Sequence, residues 1–283
     1  MDLPIGNTPL IPLQETPARI LGKLETLNLT GSAKDRPAAA MLEDIPGPEW
    51  SVAEATSGNM GIALAALCAR RGIPCRIFMP ADASRERMQL IRFFGAEVTL
   101  TPASAGMAGA CRSAEEWCLD DPKRFYVNQF RNPSNSSAHY RTTGPEIWTQ
   151  TQGRIHVFLA GVGTGGTVTG AGRFLKEQDP SIEIFAVAPA PGAAIPGIGA
   201  GFPPPLLARD LLSGWLEVSE QDASAGAREL ARTHGILVGP SAGAAYRAAM
   251  TLARRPDYQG KTLVAILPDT GHRYLSTGLF DPK

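Results

Sequence analysis

The chain of 283 residues carries no formal net charge, and only 7% of its residues are aromatic. Balanced charge excludes the extended basic surface on which nucleic-acid recognition and binding to acidic membranes depend. The longest apolar run, residues 60–69, is far shorter than the ~20 residues of a membrane-spanning helix. We therefore expect neither a nucleic-acid partner nor a membrane segment.

Cysteine and histidine are scarce, with four of each. The cysteines form no Cys-x-x-Cys pair, and no histidine lies at zinc-finger spacing, so we expect no metal site. Cys111 and Cys118 are seven residues apart and would share one helix face, which favours core packing. The N-terminus lacks the basic residues and apolar segment of a secretory signal. These features predict a cytoplasmic protein with reduced thiols.

Lysine is also rare, with six in the chain. Lys34 alone stands between a Gly-Ser turn and the start of a helix, because Pro37 lacks an N–H and fits only in a first helical turn. A buried lysine in such a place has a lowered pKa and can form a Schiff base. An ordinary solvated lysine is the alternative that this stretch leaves open.

Short apolar strands alternate with helices along most of the chain, as in 51–55 followed by 60–71. This alternation predicts an α/β protein with parallel sheets covered by helices on their faces. The alternation occurs twice, before and after a loop predicted at 132–137, so two α/β halves should enclose a ligand cleft. Asn59 is predicted to cap the helix 60–71.

A glycine-rich segment, residues 161–167, separates a predicted strand from a predicted helix. Glycines let backbone N–H groups converge at a helix N-terminus, which suits a phosphate. Gly161, Gly163 and Gly166 also match G-x-G-x-x-G, but a dinucleotide site needs an acidic residue after the next strand. That strand ends in AVAP, residues 186–189. We interpret the segment as a cradle for the phosphate of a small cofactor, with a plain tight turn as the alternative.

Two further segments place hydroxyl groups at helix starts. Residues 56–61 combine hydroxyls with successive N–H groups, which suits a carboxylate, although a simple helix cap is equally consistent. Ser241 stands at the start of another predicted helix, where a cap is again the alternative. Together, a Schiff-base lysine, a phosphate cradle and a carboxylate loop specify pyridoxal phosphate acting on an amino acid.

These motifs resemble the cysteine synthases (O-acetylserine sulfhydrylases), most closely the B isozyme, within the tryptophan-synthase-β-like family of pyridoxal-phosphate enzymes. The resembling stretches run nearly from end to end: IGNTPL (5–10), GSAKDR (31–36), EATSGN (54–59), TGPEIW (143–148), GTGGT (163–167), GIGAG (197–201), LPDTG (267–271) and RYLST (273–277). The resemblance implies the type II fold of these enzymes, with two open, mostly parallel twisted sheets and pyridoxal 5'-phosphate in the cleft between two domains.

The resemblance also implies a role for each matched position. Lys34 matches the Schiff-base lysine, and Ser241 matches the serine that faces the pyridine nitrogen. The implied cofactor-binding residues are Lys34, Asn59, Gly163, Thr164, Gly165, Gly166, Thr167 and Ser241. The implied substrate-binding residues are Thr56, Ser57, Asn59, Met60, Gln129 and Gly197.

The implied reaction is a β-replacement that forms L-cysteine from O-acetyl-L-serine and sulfide, or thiosulfate, through an aminoacrylate intermediate. Several departures leave donor and acceptor open. Met60 replaces a threonine common in cysteine synthases, residues 199–201 resemble the A isozyme, and Ala242 and Thr270 replace common serines. The alternatives are a β-cyanoalanine synthase, an O-phosphoserine sulfhydrylase, a serine or threonine dehydratase, and a catalytically silent regulatory binding module.

The resemblance further implies two domains and a homodimer. Residues 28–138 would form a smaller, mobile N-terminal domain that carries the Schiff-base lysine and the carboxylate loop. Residues 1–27 together with 139–283 would form a larger domain that carries the phosphate loop. Serine acetyltransferase is a partner that the sequence leaves undecided.

Overall fold

The computed structural model describes residues 3–47 and 49–280. The strands in this part of the chain are β1 (Leu10–Gln14), β2 (Arg19–Leu24), β3 (Ser51–Ala55), β4 (Cys75–Pro80), β5 (Glu97–Thr101), β6 (Arg124–Tyr126), β7 (Val157–Gly161), β8 (Glu183–Pro189), β9 (Gly214–Val218) and β10 (Thr262–Leu267). The α-helices are α1 (Asp35–Met41), α2 (Asn59–Arg71), α3 (Arg85–Phe93), α4 (Gly106–Leu119), α5 (Ser134–Arg141), α6 (Thr143–Thr151), α7 (Gly166–Gln178), α8 (Glu220–His234) and α9 (Pro240–Ala253).

The larger sheet has six strands in the order β1-β2-β10-β7-β8-β9. All its pairings are parallel except that of β1 with β2. Every residue of the central strand β10 is buried. Leu263, Ala265 and Leu267 face one apolar cluster, and Val264 and Ile266 face another. The uninterrupted apolar run of β10 therefore reflects a strand covered on both faces.

The smaller sheet has four parallel strands in the order β5-β4-β3-β6. Ala53 and Phe78 on one face pack against α4 through Ala110. Val52 and Ile77 on the other face join a cluster contributed by α1, α2 and α3. Two mostly parallel sheets with helices on both faces confirm the predicted α/β class.

The helix that follows Lys34 begins at Asp35, and Pro37 lies in its first turn, as predicted. The loop predicted at 132–137 is wrong, because α5 begins at Ser134. Asn132 accepts a hydrogen bond from the Ser134 N–H at 2.8 Å, and Pro133 precedes the first turn. These Asn, Ser and Pro residues initiate a helix here, a role that the same residue types also have in loops.

The ends of the strands determine where a ligand can bind. The carboxyl ends of β3, β6, β7 and β10 lead directly into the segments that carry the candidate site residues. Parallel α/β sheets bind ligands at this edge. Among the described residues, no helix is long and apolar enough to span a membrane.

Candidate active site

A cavity of about 160 Å³ lies at the carboxyl ends of strands from both sheets. It is lined by eleven of the thirteen site residues expected from the sequence: Lys34, Thr56, Ser57, Asn59, Met60, Gln129, Gly163, Thr164, Thr167, Gly197 and Ser241. The other two, Gly165 and Gly166, belong to the same turn as Gly163 without lining the cavity. Segments up to about 200 residues apart in sequence therefore meet around one space.

Lys34 is the residue immediately before α1, and it is half-buried beside the cavity. The neighbouring backbone is fixed by the Ala33 N–H, which donates to the Pro268 carbonyl at 2.8 Å. Burial lowers the pKa of the Lys34 ammonium to about 8, and the carboxylate of Asp269 opposes this shift. About a tenth of Lys34 is therefore an uncharged, nucleophilic amine at pH 7.

A buried ionic network anchors the helix behind Lys34. The guanidinium of Arg36 pairs with Glu25 at 2.7 Å and with Glu146 at 2.6 Å. The buried Lys23 also pairs with Glu146, at 2.7 Å. Lys23 is therefore held in an ion pair, and Lys34 is the lysine that lines the cavity.

Asn59 does not cap α2, so that prediction is wrong. It is the first residue of the helix, and its side chain turns towards the segment after β10. Its Nδ2 donates to Asp269 at 2.7 Å, and its Oδ1 accepts from Arg273. Arg273 can only donate, and a carboxylate only accepts, so the amide orientation is fixed. The second N–H of Nδ2 is then available as a donor at the cavity.

The loop between β3 and α2 is a compact group of hydrogen-bond donors and acceptors. The Gly58 N–H donates to the Thr56 hydroxyl at 3.0 Å, and the Gln129 amide donates to the Ala55 carbonyl at 3.0 Å. Thr56 thus keeps its own O–H for a ligand. Met60 is only 1% exposed and packs in the core of the smaller sheet, so it brings no hydroxyl to this loop.

Glu54 supports this loop from the buried end of β3. Its carboxyl group accepts the N–H groups of Gln129 at 3.1 Å and of Ala55 at 2.9 Å. Complete burial raises the pKa of Glu54 to about 8, although these hydrogen bonds oppose the rise. The carboxyl group that joins the segment at Ala55 to the segment at Gln129 therefore titrates close to neutral pH.

Glu54 should make stability depend on pH. The folded protein keeps a proton on this residue between its ordinary pKa of 4.5 and about 8, whereas the unfolded chain releases it. Stability from this group is thus present at low pH and lost as pH rises to 8, by at most about 1.4 kcal/mol per pH unit. We expect Glu54→Gln to flatten the pH dependence of the unfolding free energy across this window, as measured by urea titration. Glu116→Gln, on an exposed residue, is the control, and an unchanged slope in Glu54→Gln would contradict this assignment.

The turn between β7 and α7 is shaped to admit an anion. A Cβ at Gly163 would lie 2.7 Å from the Gly197 carbonyl oxygen, and Gly165 has φ +83°. Among the described residues, the N–H groups of Gly163, Thr164 and Gly165 have no acceptor. These free N–H groups lie at the N-terminus of α7, so the cradle that the sequence predicts is present and fits a phosphate.

Asn135, which sequence reasoning missed, connects the turn between β7 and α7 with the segment that carries Gln129. Its Nδ2 donates to the Gln129 carbonyl at 2.7 Å and to the Thr164 hydroxyl at 3.1 Å. Its side chain packs against Gly166, where a Cβ would lie 2.1 Å from Oδ1. Asn135 lies on α5, which the sequence does not reveal as a helix.

Ser241 lies in the first turn of α9, which begins with Pro240 after Gly239. Its hydroxyl faces Gly197, where a Cβ would lie 3.4 Å from Oγ. Pro240 lacks an N–H and suits a first helical turn. Ser241 is 3% exposed and lines the cavity, so its hydroxyl is available to a ligand there.

Together these groups fit pyridoxal phosphate. The N–H cradle suits its phosphate, and Lys34 could react with its aldehyde carbon. The Ser241 hydroxyl could face its ring nitrogen, and the Asn59 N–H could donate to its 3-hydroxyl oxygen. Arg87, Asp269 and Arg273 also surround or support the site, and local patterns give no signal for their roles. Only their long-range contacts reveal them.

Three sequence relatives extend over almost the whole chain. The Caenorhabditis elegans cysteine synthase 3 is 42% identical, with 98% of this chain and 88% of the relative covered. The Escherichia coli cysteine synthase A is 40% identical over 98% of this chain and 94% of its own. The Campylobacter jejuni cysteine synthase B is also 40% identical, over 98% of this chain and 96% of its own.

Solved structures show the same similarity. The cysteine synthase (O-acetylserine sulfhydrylase) of Entamoeba histolytica superposes with a TM-score of 0.94 and 38% identity over 99% of this chain and 90% of that one. A hydrogen sulfide-producing enzyme of Fusobacterium nucleatum superposes with a TM-score of 0.92 and 37% identity, over 96% of this chain and 98% of that one. The family model of pyridoxal-phosphate dependent enzymes matches residues 1–269. The chain is therefore a member of the pyridoxal-phosphate dependent enzyme family, with pyridoxal 5'-phosphate as its cofactor.

Proposed function

We propose that this enzyme forms L-cysteine from O-acetyl-L-serine and sulfide, with thiosulfate as a second nucleophile that would give S-sulfo-L-cysteine. The observation that carries the proposal is the single cavity in which Lys34, the N–H cradle, the carboxylate loop and Ser241 meet. The cysteine synthases, at 40–42% identity, support the reaction class. Cysteine synthesis is a β-replacement, which is one of the reactions that a site of this composition supports.

The residues have distinct tasks in this proposal. Bound pyridoxal phosphate supplies an electron sink that weakens the bonds at the substrate α-carbon. Thr56, Ser57, Asn59 and Gln129 hold the substrate carboxylate, which places its α-carbon beside Lys34. The Nζ of Lys34 takes the α-proton and later returns a proton, since its lowered pKa leaves it partly uncharged near neutral pH.

Ser241 adjusts the reaction type in this proposal. A hydroxyl at the ring nitrogen does not force that nitrogen to stay protonated, whereas a carboxylate does. We expect Ser241→Asp to slow cysteine formation at least about tenfold and to change the absorption spectrum of the bound cofactor. Unchanged rates and spectra would contradict the role of Ser241. The exposed Ser181→Asp provides a control for the added charge.

The experiment that tests the function measures the amino-acid products and the pyruvate that the cofactor-loaded protein forms. O-acetylserine and O-phosphoserine are compared as donors, with sulfide, thiosulfate or cyanide as acceptors. We expect cysteine from O-acetylserine and sulfide at the highest rate. Pyruvate release without a nucleophile would identify a dehydratase. A preference for cyanide would identify a β-cyanoalanine synthase, and a protein that binds the cofactor without turnover would be a regulatory module.

We also propose the division into residues 28–138 and residues 1–27 with 139–283. All four strands of the smaller sheet, β3 to β6, lie in the first part, and all six strands of the larger sheet lie in the second.

The four free cysteines support the proposed cytoplasmic location, because disulfides are rare there. The family resemblance supports a homodimer, which sedimentation analysis tests. The same analysis with added serine acetyltransferase decides that partnership.

A further inference from the structure

Arg87 occupies an unusual position beside the carboxylate loop. It lies in the first turn of α3, is 6% exposed and lines the cavity. Across the described residues it forms no ion pair, and its Nε has no hydrogen-bond partner. A buried cation without a carboxylate is costly, so its position indicates an anion that binds in the cavity.

Arg36 shows how another buried arginine of this chain is neutralised. Arg36 is comparably buried, but Glu25 and Glu146 neutralise it. The acidic neighbour of Arg87, Glu86, points elsewhere and binds Ser276 at 2.6 and 2.8 Å. The guanidinium of Arg87 lies instead over the ring of Tyr274, 4.8 Å from its centroid. This contact supports the cation without cancelling its charge.

Arg87 also contacts the backbone of the loop. Its Nη1 donates to the Ser57 carbonyl at 3.3 Å, and its side chain lies against Gly58, where a Cβ would be 2.5 Å from Cδ. The C=O and N–H of one planar trans peptide point in opposite directions. Binding the Ser57 carbonyl therefore turns the Gly58 N–H away from Arg87 and towards the Thr56 hydroxyl.

We propose that Arg87 is a positioning residue for the carboxylate of the amino-acid substrate. It orients the peptide between Ser57 and Gly58 and places a positive charge behind the N-terminus of α2, whose free N–H groups already favour an anion. The inference rests on the proposed function, because that function identifies an amino acid as the ligand of this loop.

The test measures ligand binding without turnover. Cofactor-loaded wild type and Arg87→Met are titrated with L-serine and with L-serinamide, whose amide replaces the carboxylate, and the absorption of the bound cofactor is followed. Arg87→Met should raise the Kd for L-serine about 10- to 100-fold, because the loop peptide loses its orientation and the carboxylate loses a nearby positive charge. It should change the Kd for L-serinamide less than about threefold. Arg87→Lys, which keeps the charge, should restore part of the L-serine affinity. Arg85→Met, on an exposed arginine of the same helix, is the matched control.

Several results would overturn the inference. Equal weakening of both ligands, no weakening of L-serine, or loss of cofactor absorption in both Arg87 variants would show a merely structural role. Wild-type absorption that ignores L-serine would also overturn it. The proposed function fails separately: Arg87-dependent binding of L-serine without cysteine formation from O-acetylserine would leave the inference intact and remove the function.

Discussion

Replacing Lys34 with alanine should lower the rate of cysteine formation at least about 1,000-fold, because one side chain supplies both the covalent attachment of the cofactor and the proton transfer. Lys34 lines the cavity with a pKa lowered to about 8 by burial. The buried Lys23 is held by Glu146 at 2.7 Å and cannot substitute for it. Initial rates with O-acetylserine and sulfide measure the effect.

A second readout identifies the attachment site directly. Borohydride reduction followed by peptide mass spectrometry should place the cofactor on Lys34 in the wild type and on no peptide of Lys34→Ala. The exposed Lys123→Ala is the control and should behave as wild type in both assays. Cofactor bound covalently to another lysine, or cysteine formation that survives in Lys34→Ala, would contradict the assignment.

Replacing Arg36 with methionine should destabilise the protein by about 3–5 kcal/mol, the cost of removing one partner of a buried ion pair. Arg36 is 3% exposed and Glu25 is fully buried. Without the guanidinium, the side-chain donors that remain to Glu25 among the described residues are Thr8 at 2.6 Å and Asn28 at 2.9 Å. Urea unfolding of the two cofactor-loaded proteins measures the difference.

An exposed arginine provides the matched control for Arg36. Arg19 pairs with Glu15 at 3.3 Å, with side chains 51% and 64% exposed. Arg19→Met should therefore cost less than about 1 kcal/mol. If Arg36→Met costs no more than Arg19→Met, the buried network does not anchor α1, and the account of how Lys34 is positioned fails.

The regular elements of the fold are readable from local patterns. The strand predicted at 51–55 is β3. The helix predicted at 60–71 is α2, which begins one residue earlier and ends before Gly72, with φ +67°. The edge strand β1 is not predicted, because Pro12 lacks the N–H that strand pairing uses. In the structure the pairing with β2 shifts register between Pro12 and Gln14. Helix α5 is missed because its first turn is built from residues that are equally common in loops.

The site divides in the same way. Lys34 is found by local chemistry, since the turn before it and Pro37 after it fix its place at a helix start. The local prediction that Asn59 caps α2 is wrong, because its side chain binds Asp269 and Arg273, which are more than 200 residues away. No local pattern indicates the role proposed for Arg87. That role rests on its lack of an ion pair among the described residues and on its contact with Ser57 in the loop before α2.

The most direct test of the central claim is a single-turnover experiment on the cofactor-loaded protein. O-acetylserine is added first and sulfide second, while the cofactor absorption is recorded and L-cysteine is measured. The account predicts an absorption change on adding O-acetylserine that sulfide reverses, with cysteine formed in an amount equal to the bound cofactor. Absorption that ignores O-acetylserine, or that returns with pyruvate and no cysteine, would contradict it.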